Sequence, residues 1–150
     1  MSEREPTRMT SVDRVSRDED RTGQRLRVLL ADDSREVRRA LVETLQAVSA
    51  VEVVAQAETA TTAYRFAHDL RPDVIVLDIN MPDRSGIWVL RQLRSEAVDS
   101  TVFMLSNHGS EFYRRKCLDA GADGFYDKHS EIRSLIDRLG DLAARRNRAA

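Results

Sequence analysis

Polar residues with chemistry to offer stand at the ends of apolar runs: Asp32 and Asp33 after LRVLLA, Asp78 after VIVL, Ser106 and Asn107 after TVFML, and Asp127 with Lys128 after GFY. Gathered carboxylates repel; one pair about 4 Å apart costs roughly 4 kcal/mol at an effective dielectric near 20. An oxygen-only set of this kind suits a hard cation such as Mg²⁺, and Lys128 adds a second positive charge. Mg²⁺ takes few protein ligands and leaves room for substrate phosphate, which points to phosphoryl chemistry more than to a structural ion. Asp78, fixed on a rigid strand beside a cation and an ammonium, is then a candidate nucleophile that would form an aspartyl phosphate.

The elements that must bring these groups together are legible in the hydropathy pattern. Residues 26–31, 51–55, 74–77, 101–105 and 124–126 are short apolar runs rich in β-branched and aromatic residues, and are expected to be strands. Val37, Leu41, Leu45 and Val48 recur at helical spacing, as do Leu90 with Leu93, and Ile132, Leu135, Ile136 and Leu139. Five strands each followed by a helix, with connections too long for hairpins, predict parallel crossovers. Runs apolar on both faces, such as VIVL, predict a sheet covered on two sides. The fold class is therefore α/β: a doubly wound parallel sheet whose ligands bind beyond the carboxyl ends of its strands, where the acids collect.

At 150 residues the chain suits one domain with a real core. A net charge of −1 gives no global drive towards nucleic acid or an anionic membrane, and no apolar run is long enough to span a bilayer. Cys117 alone cannot form an internal disulfide, and the start has no apolar signal-peptide core, so a reducing, cytoplasmic setting is expected. Residues 1–24 are charged and poor in large apolar side chains, the composition of a disordered tail. The expected division is that tail, a domain over 25–143, and a short basic tail over 144–150.

Asp32-Asp33, Asp78-x-Asn80-Met81-Pro82 with Gly86, Ser106, and the run from Gly124 to Lys128 together resemble the receiver domain of two-component response regulators. The resemblance spans about residues 26–140 and rests on five motifs in the right order. It implies the flavodoxin-like (βα)5 fold with strand order 2-1-3-4-5. It also implies that Asp78 accepts a phosphoryl group from a histidine kinase or phosphotransfer protein. Asp32, Asp33 and Asp78 would bind Mg²⁺ with the main-chain carbonyl of Asn80, and Lys128 would pair with the incoming phosphoryl group. Ser106 would be the switch hydroxyl and Phe125 the aromatic whose rotamer follows it, shaping a partner surface on the fourth helix, fifth strand and fifth helix. A monomer, or a weak dimer that depends on phosphorylation, is expected; the charge balance predicts no nucleic acid or membrane contact, and the roughly ten residues after the fifth helix predict no fused output domain.

The chain departs from the family pattern at named positions. Asn107 stands where a small residue usually follows the switch hydroxyl, which predicts narrower access; Asn80 and His108 are rim positions expected to set phosphate lifetime. His129 replaces the usual proline after the lysine, and a non-proline cis bond costs about 2.5–4 kcal/mol, so a trans Lys128–His129 bond is expected.

Plainer readings exist for several residues. Asp33-Ser-Arg-Glu36 has capping-box spacing, which would assign Asp33 to a helix cap. Asp78 alone would pass for a turn-initiating acid, Cys117 for a small buried hydrophobe, and His68 for a helix-surface residue. The basic runs Arg114-Arg115-Lys116 and Arg145-Arg146 with Arg148 read by default as solvated faces, the first adjoining Tyr113, Phe125 and Tyr126 on the expected partner surface. Two competing functions are a receiver-like scaffold that never becomes phosphorylated and a hydrolase working through an aspartyl phosphate. The hydrolase pattern places a second acid two residues after the nucleophile, where this chain has Asn80.

Overall fold

The computed structural model describes residues 24–107 and 110–149. The expected tail over residues 1–24, apart from Gln24, and His108 lie outside the described residues. In chain order the elements are β1 (Leu26–Ala31), α1 (Arg35–Gln46), β2 (Val51–Ala57), α2 (Ala60–Leu70), β3 (Val74–Asp78), α3 (Gly86–Ser95), β4 (Thr101–Ser106), α4 (Glu111–Asp119), β5 (Gly124–Asp127) and α5 (Ile132–Ala149). The strands are all parallel, in the order β2-β1-β3-β4-β5, which is the expected topology.

Alternation along the strands divides the core between two faces, because successive side chains point to opposite sides. Ile75 and Leu77 of β3, with Leu29, Val102 and Met104, pack against Ala60, Ala63 and Ala67 of α2, Val89, Leu90 and Leu93 of α3, and Cys117 of α4. Val74 and Val76, with Val28, Leu30, Phe103 and Leu105, pack against Leu41 and Leu45 of α1 and Leu135, Leu139 and Ala143 of α5. With helices on both sides β3 is buried from end to end, Asp78 included. No helix among the described residues is long and apolar enough to cross a membrane.

Hydroxyl caps start four helices: Ser34, Thr59, Ser85 and Ser110 accept from the amides of Val37, Thr62, Ile87 and Tyr113. The cap of α1 is thus Ser34, not Asp33, and the Asp33 carboxylate is left for other use. The expected boundary at residue 143 also shifts, since α5 runs on to Ala149. Ala143 is buried against the sheet, and Arg146 Nη1 bonds Asp73 Oδ1 at 2.9 Å, so the helix is packed and tethered as far as Arg146.

Candidate functional site

Each candidate side chain is delivered by the end of a strand. Asp32, just past β1, is 1% exposed and held at its amide, its carbonyl and one carboxylate oxygen. Its amide donates to Ala57 O at 3.0 Å, Oδ1 accepts from Ser34 N at 2.8 Å, and its carbonyl accepts from Arg38 Nη1 at 2.6 Å. Its Oδ2 lies 2.5 Å from Lys128 Nζ, an ion pair off the direction of a good hydrogen bond, so this buried oxygen lacks a directed donor among the described residues.

Asp78 ends β3 and is also 1% exposed. Its Oδ1 accepts from Asn80 N at 3.1 Å and its Oδ2 from Lys128 Nζ at 2.9 Å. The loop that follows folds back tightly: Gly86 N donates to Ile79 O at 2.7 Å, and Asn80 bridges Ser85. Asp83 anchors that loop to the start of α2, where its Oδ1 accepts from Ala60 N at 2.8 Å and its Oδ2 from Thr61 Oγ1 at 2.6 Å and Thr61 N at 3.0 Å. An acid at a helix N-terminus complements the free amides and the helix dipole.

Lys128 reaches the acids from the far side of β4. Its amide donates to Ser106 O at 2.8 Å, which locks the turn after β5 to the end of β4. Asp127 Oδ1 accepts from the amides of His129 and Ser130, while Glu131 Oε1 accepts from Asp127 N at 2.8 Å, a reciprocal arrangement that fixes the lysine's base. The Lys128–His129 bond is trans, as expected, because no cis peptide occurs among the described residues.

One lysine cannot neutralise three carboxylates. Oxygen atoms of Asp32, Asp33 and Asp78 lie within 4.8 Å of one another, Asp33 exposed and the other two buried. Burial pushes the Asp78 carboxyl up, the Asp32 charge adds to this, and hydrogen bonds from Lys128 and Asn80 recover only part. Burial alone would lower Lys128, but its bonds to Asp32 and Asp78 reverse the sign and hold it above the ordinary lysine value. The cluster therefore holds an uncompensated negative charge on an all-oxygen donor set, with a buried, undirected oxygen at Asp32. That is the character of a hard-cation site, and Mg²⁺ fits it.

Ser106 is buried at the end of β4, and Asn107 beyond it is exposed. Phe125 is buried against the α2–α4 side of the core, 3% exposed. The Arg114 guanidinium lies 4.9 Å above its ring, and Arg114 Nη2 pairs with Glu131 Oε1 at 3.5 Å. The first basic run is thus not wholly a solvated face.

Two residues escaped the sequence reading. Asp83 resembled an ordinary turn acid, and its partners lie in another helix. Arg38 occupies the buried stripe of α1 with Leu41 and Leu45, so its phase on the helix was the available signal.

Comparison with known proteins bears on the same residues. The family model described as "Response regulator receiver domain" matches residues 28–140. The chain is 34% identical over 119 residues to the nitrate/nitrite response regulator protein homolog of Haemophilus influenzae, covering 79% of this chain and 57% of that one. It is 31% identical over 115 residues to the chemotaxis protein CheY of Halobacterium salinarum, covering 77% of this chain and 94% of that one. Among solved structures, the signal receiver domain of the putative response regulator NarL from Mycobacterium tuberculosis superposes with a TM-score of 0.75 at 29% identity, covering 81% of this chain and 98% of that one. The chain spans roughly half to three-fifths of the first curated relatives, 57%, 59% and 48% of their lengths.

Proposed function

Because the chain belongs to the response regulator receiver domain family, we propose that Asp78 is its phosphoacceptor and that Asp32, Asp33, Lys128 and Ser106 serve the transfer. The protein is a phosphorylation-dependent module of two-component signalling. The observation that carries the residue assignment is Lys128 Nζ, lying between Asp32 Oδ2 at 2.5 Å and Asp78 Oδ2 at 2.9 Å beside the third acid.

The proposed donor is a phosphohistidine of a histidine kinase or phosphotransfer protein. An Asp78 oxygen attacks phosphorus, the P–N bond breaks, the imidazole nitrogen leaves with the bonding pair and takes up a proton, and an acyl phosphate remains on Asp78. Desolvation and the Asp32 charge make Asp78 the more basic nucleophile, and Asn80 N with Lys128 Nζ fix its two oxygens. Lys128 follows the charge as it moves outward to the phosphoryl oxygens. Asp32, Asp33 and Asp78, with the main-chain carbonyl of Asn80, would hold Mg²⁺. When bound, Mg²⁺ supplies positive charge to the transferring phosphoryl group.

The new charge and acceptor oxygens then draw on Ser106 and Lys128, and Phe125 follows within the surface of α4, β5 and α5. That surface is the proposed partner site, and Arg114 of α4 already touches Phe125 of β5 and Glu131 before α5 across it. The rim residues Asn80, Asn107 and His108 are proposed to set access and phosphate lifetime. A cytoplasmic setting and a monomer, or weak phosphorylation-dependent dimer, belong to the same proposal. The phosphoryl group stays on the protein as a signal, which separates this reading from a hydrolase.

The test is intact-protein mass spectrometry after incubation with acetyl phosphate, with and without Mg²⁺. A single Mg²⁺-dependent phosphoryl adduct, absent from Asp78→Asn, is expected. An adduct that survives in Asp78→Asn rejects the acceptor assignment.

A further inference from the structure

Arg38 is a charged side chain in a place built for an apolar one. It shares the inward stripe of α1 with Leu41 and Leu45 and is 6% exposed. Burying a guanidinium without partners is expensive, so its partners indicate what it is there to hold. Nη1 donates to the main-chain carbonyl of Asp32 at 2.6 Å, Nε donates to Gln56 Oε1 at 3.2 Å, and Nη2 faces Glu58 Oε2 at 3.4 Å. Gln56 is the penultimate residue of β2, and Glu58 lies just past the strand. The end of β2 thus grips the guanidinium, and the guanidinium grips Asp32.

The contact falls on the backbone, and that decides its meaning. A carbonyl's direction fixes its whole peptide plane, and the plane that begins at the Asp32 carbonyl includes the amide nitrogen of Asp33. The carboxylate of Asp32 is oriented independently, by Ser34 N and Lys128. The carboxylate of Asp33 is exposed and has no hydrogen-bond donor among the described residues, so its aim comes from the main chain that carries it.

We propose that Arg38 is a positioning residue for the divalent-cation site: it sets the Asp32–Asp33 peptide so that the Asp33 carboxylate converges with Asp32 and Asp78, touching neither cation nor phosphoryl group. The inference rests on reading the three acids as a Mg²⁺ site. Residues that orient metal ligands from behind change metal affinity by about 10–100-fold when removed.

The experiment is a Mg²⁺ titration of the full chain followed by backbone amide chemical shifts, for the parent, Arg38→Met and Arg38→Lys. Arg38→Met is expected to weaken Mg²⁺ binding by about tenfold or more. Arg38→Lys, whose ammonium can still donate to the Asp32 carbonyl, should recover part of that loss. Phosphorylation of Arg38→Met by acetyl phosphate should return towards the parent rate once Mg²⁺ is saturating. A purely structural arginine would lower the melting temperature of both variants and leave the Mg²⁺ affinity unchanged, which overturns the proposal. A parent that binds no Mg²⁺ is a different result and overturns the metal reading first. Should Arg38→Met fail to fold by circular dichroism, Arg38→Gln is titrated in its place with the same two outcomes.

Discussion

Gly86 is pressed against Asp78: a Cβ added to the glycine would lie 2.1 Å from the Asp78 carbonyl oxygen and 3.0 Å from its carbonyl carbon. Neither obstacle is a movable side chain. The first residue of α3 must therefore lack a side chain for β3 to end where it does, and the glycine is part of how the candidate nucleophile is mounted.

Gly86→Ala is accordingly expected to push α3 away from the strand end. Overpacking a tight site costs about 1–3 kcal/mol, and here the strained contact is with the backbone of the proposed acceptor itself. Denaturant melts should show that loss, and the remaining folded protein should label more slowly with acetyl phosphate. Parent-like stability and labelling together would mean that the loop relaxes freely and that Gly86 does not fix Asp78.

Asp83 makes a pH-dependent anchor. The Thr61 hydroxyl, followed by the amides of Ala60 and Thr61, holds its carboxyl well below the usual carboxylate range. A depressed folded value means that this contribution is present above the unfolded value near pH 4 and is lost as the pH falls below it. The stability gap between the parent and Asp83→Asn should be open at pH 7 and shrink on acidification. Exchange protection of the Ala60 and Thr61 amides should drop in the variant; a gap that is flat in pH would remove Asp83 as the anchor.

Cys117 should be chemically silent in the native protein. It is fully buried between α4 and the sheet, and burial pushes its thiol up to about 11. The thiolate is the reactive form, so alkylation at pH 8 should proceed only in denaturant. The sign for stability is opposite to that of Asp83: the raised value contributes below the unfolded thiol value near 8.5 and is lost as pH rises towards 11. Rapid native alkylation at pH 8 would show that α4 opens.

The fold was largely legible because each strand is an apolar run, yet two of the five expected helices follow from the strand–helix rhythm alone and not from a stripe of their own. The inner face of α2 is Ala60, Ala63 and Ala67, and α4 buries only Cys117, so neither shows a stripe of large apolar residues. The apolar runs stop one residue short of the strand ends at Asp78, Ser106 and Asp127, where the side chain turns polar but the backbone still pairs. Capping spacing favoured Asp33 while the hydroxyl one residue later took the cap. The acid cluster is legible because Asp32 and Asp33 follow one strand and Asp78 ends another, whereas Asp83 acts through Ala60 and Thr61, more than twenty residues away, and the helix phase of Arg38 marks it as buried without naming its partners.

Asn107 stands exposed directly after buried Ser106, on the rim proposed as the donor's way in. Replacing it by alanine should speed labelling by acetyl phosphate while leaving Mg²⁺ affinity unchanged, since Asn107 lies outside the acid cluster. An unchanged rate would show that the side chain does not restrict entry.

Asp78→Asn should make the Mg²⁺-free protein more stable. In the parent a carboxylate 1% exposed sits beside Asp32 with one lysine shared between the two, so burial and repulsion are only partly offset. The amide removes one charge and leaves Lys128 to Asp32 alone, relieving a buried-group penalty on the order of 1 kcal/mol or more. Adding Mg²⁺ should raise the melting temperature of the parent more than that of the variant and narrow the difference, because the ion supplies in the parent the charge that the variant no longer needs. A variant that melts below the parent without Mg²⁺ would mean that the Asp78–Lys128 pair stabilises the fold outright, and the site would then be a structural ion pair before it is a place for a cation.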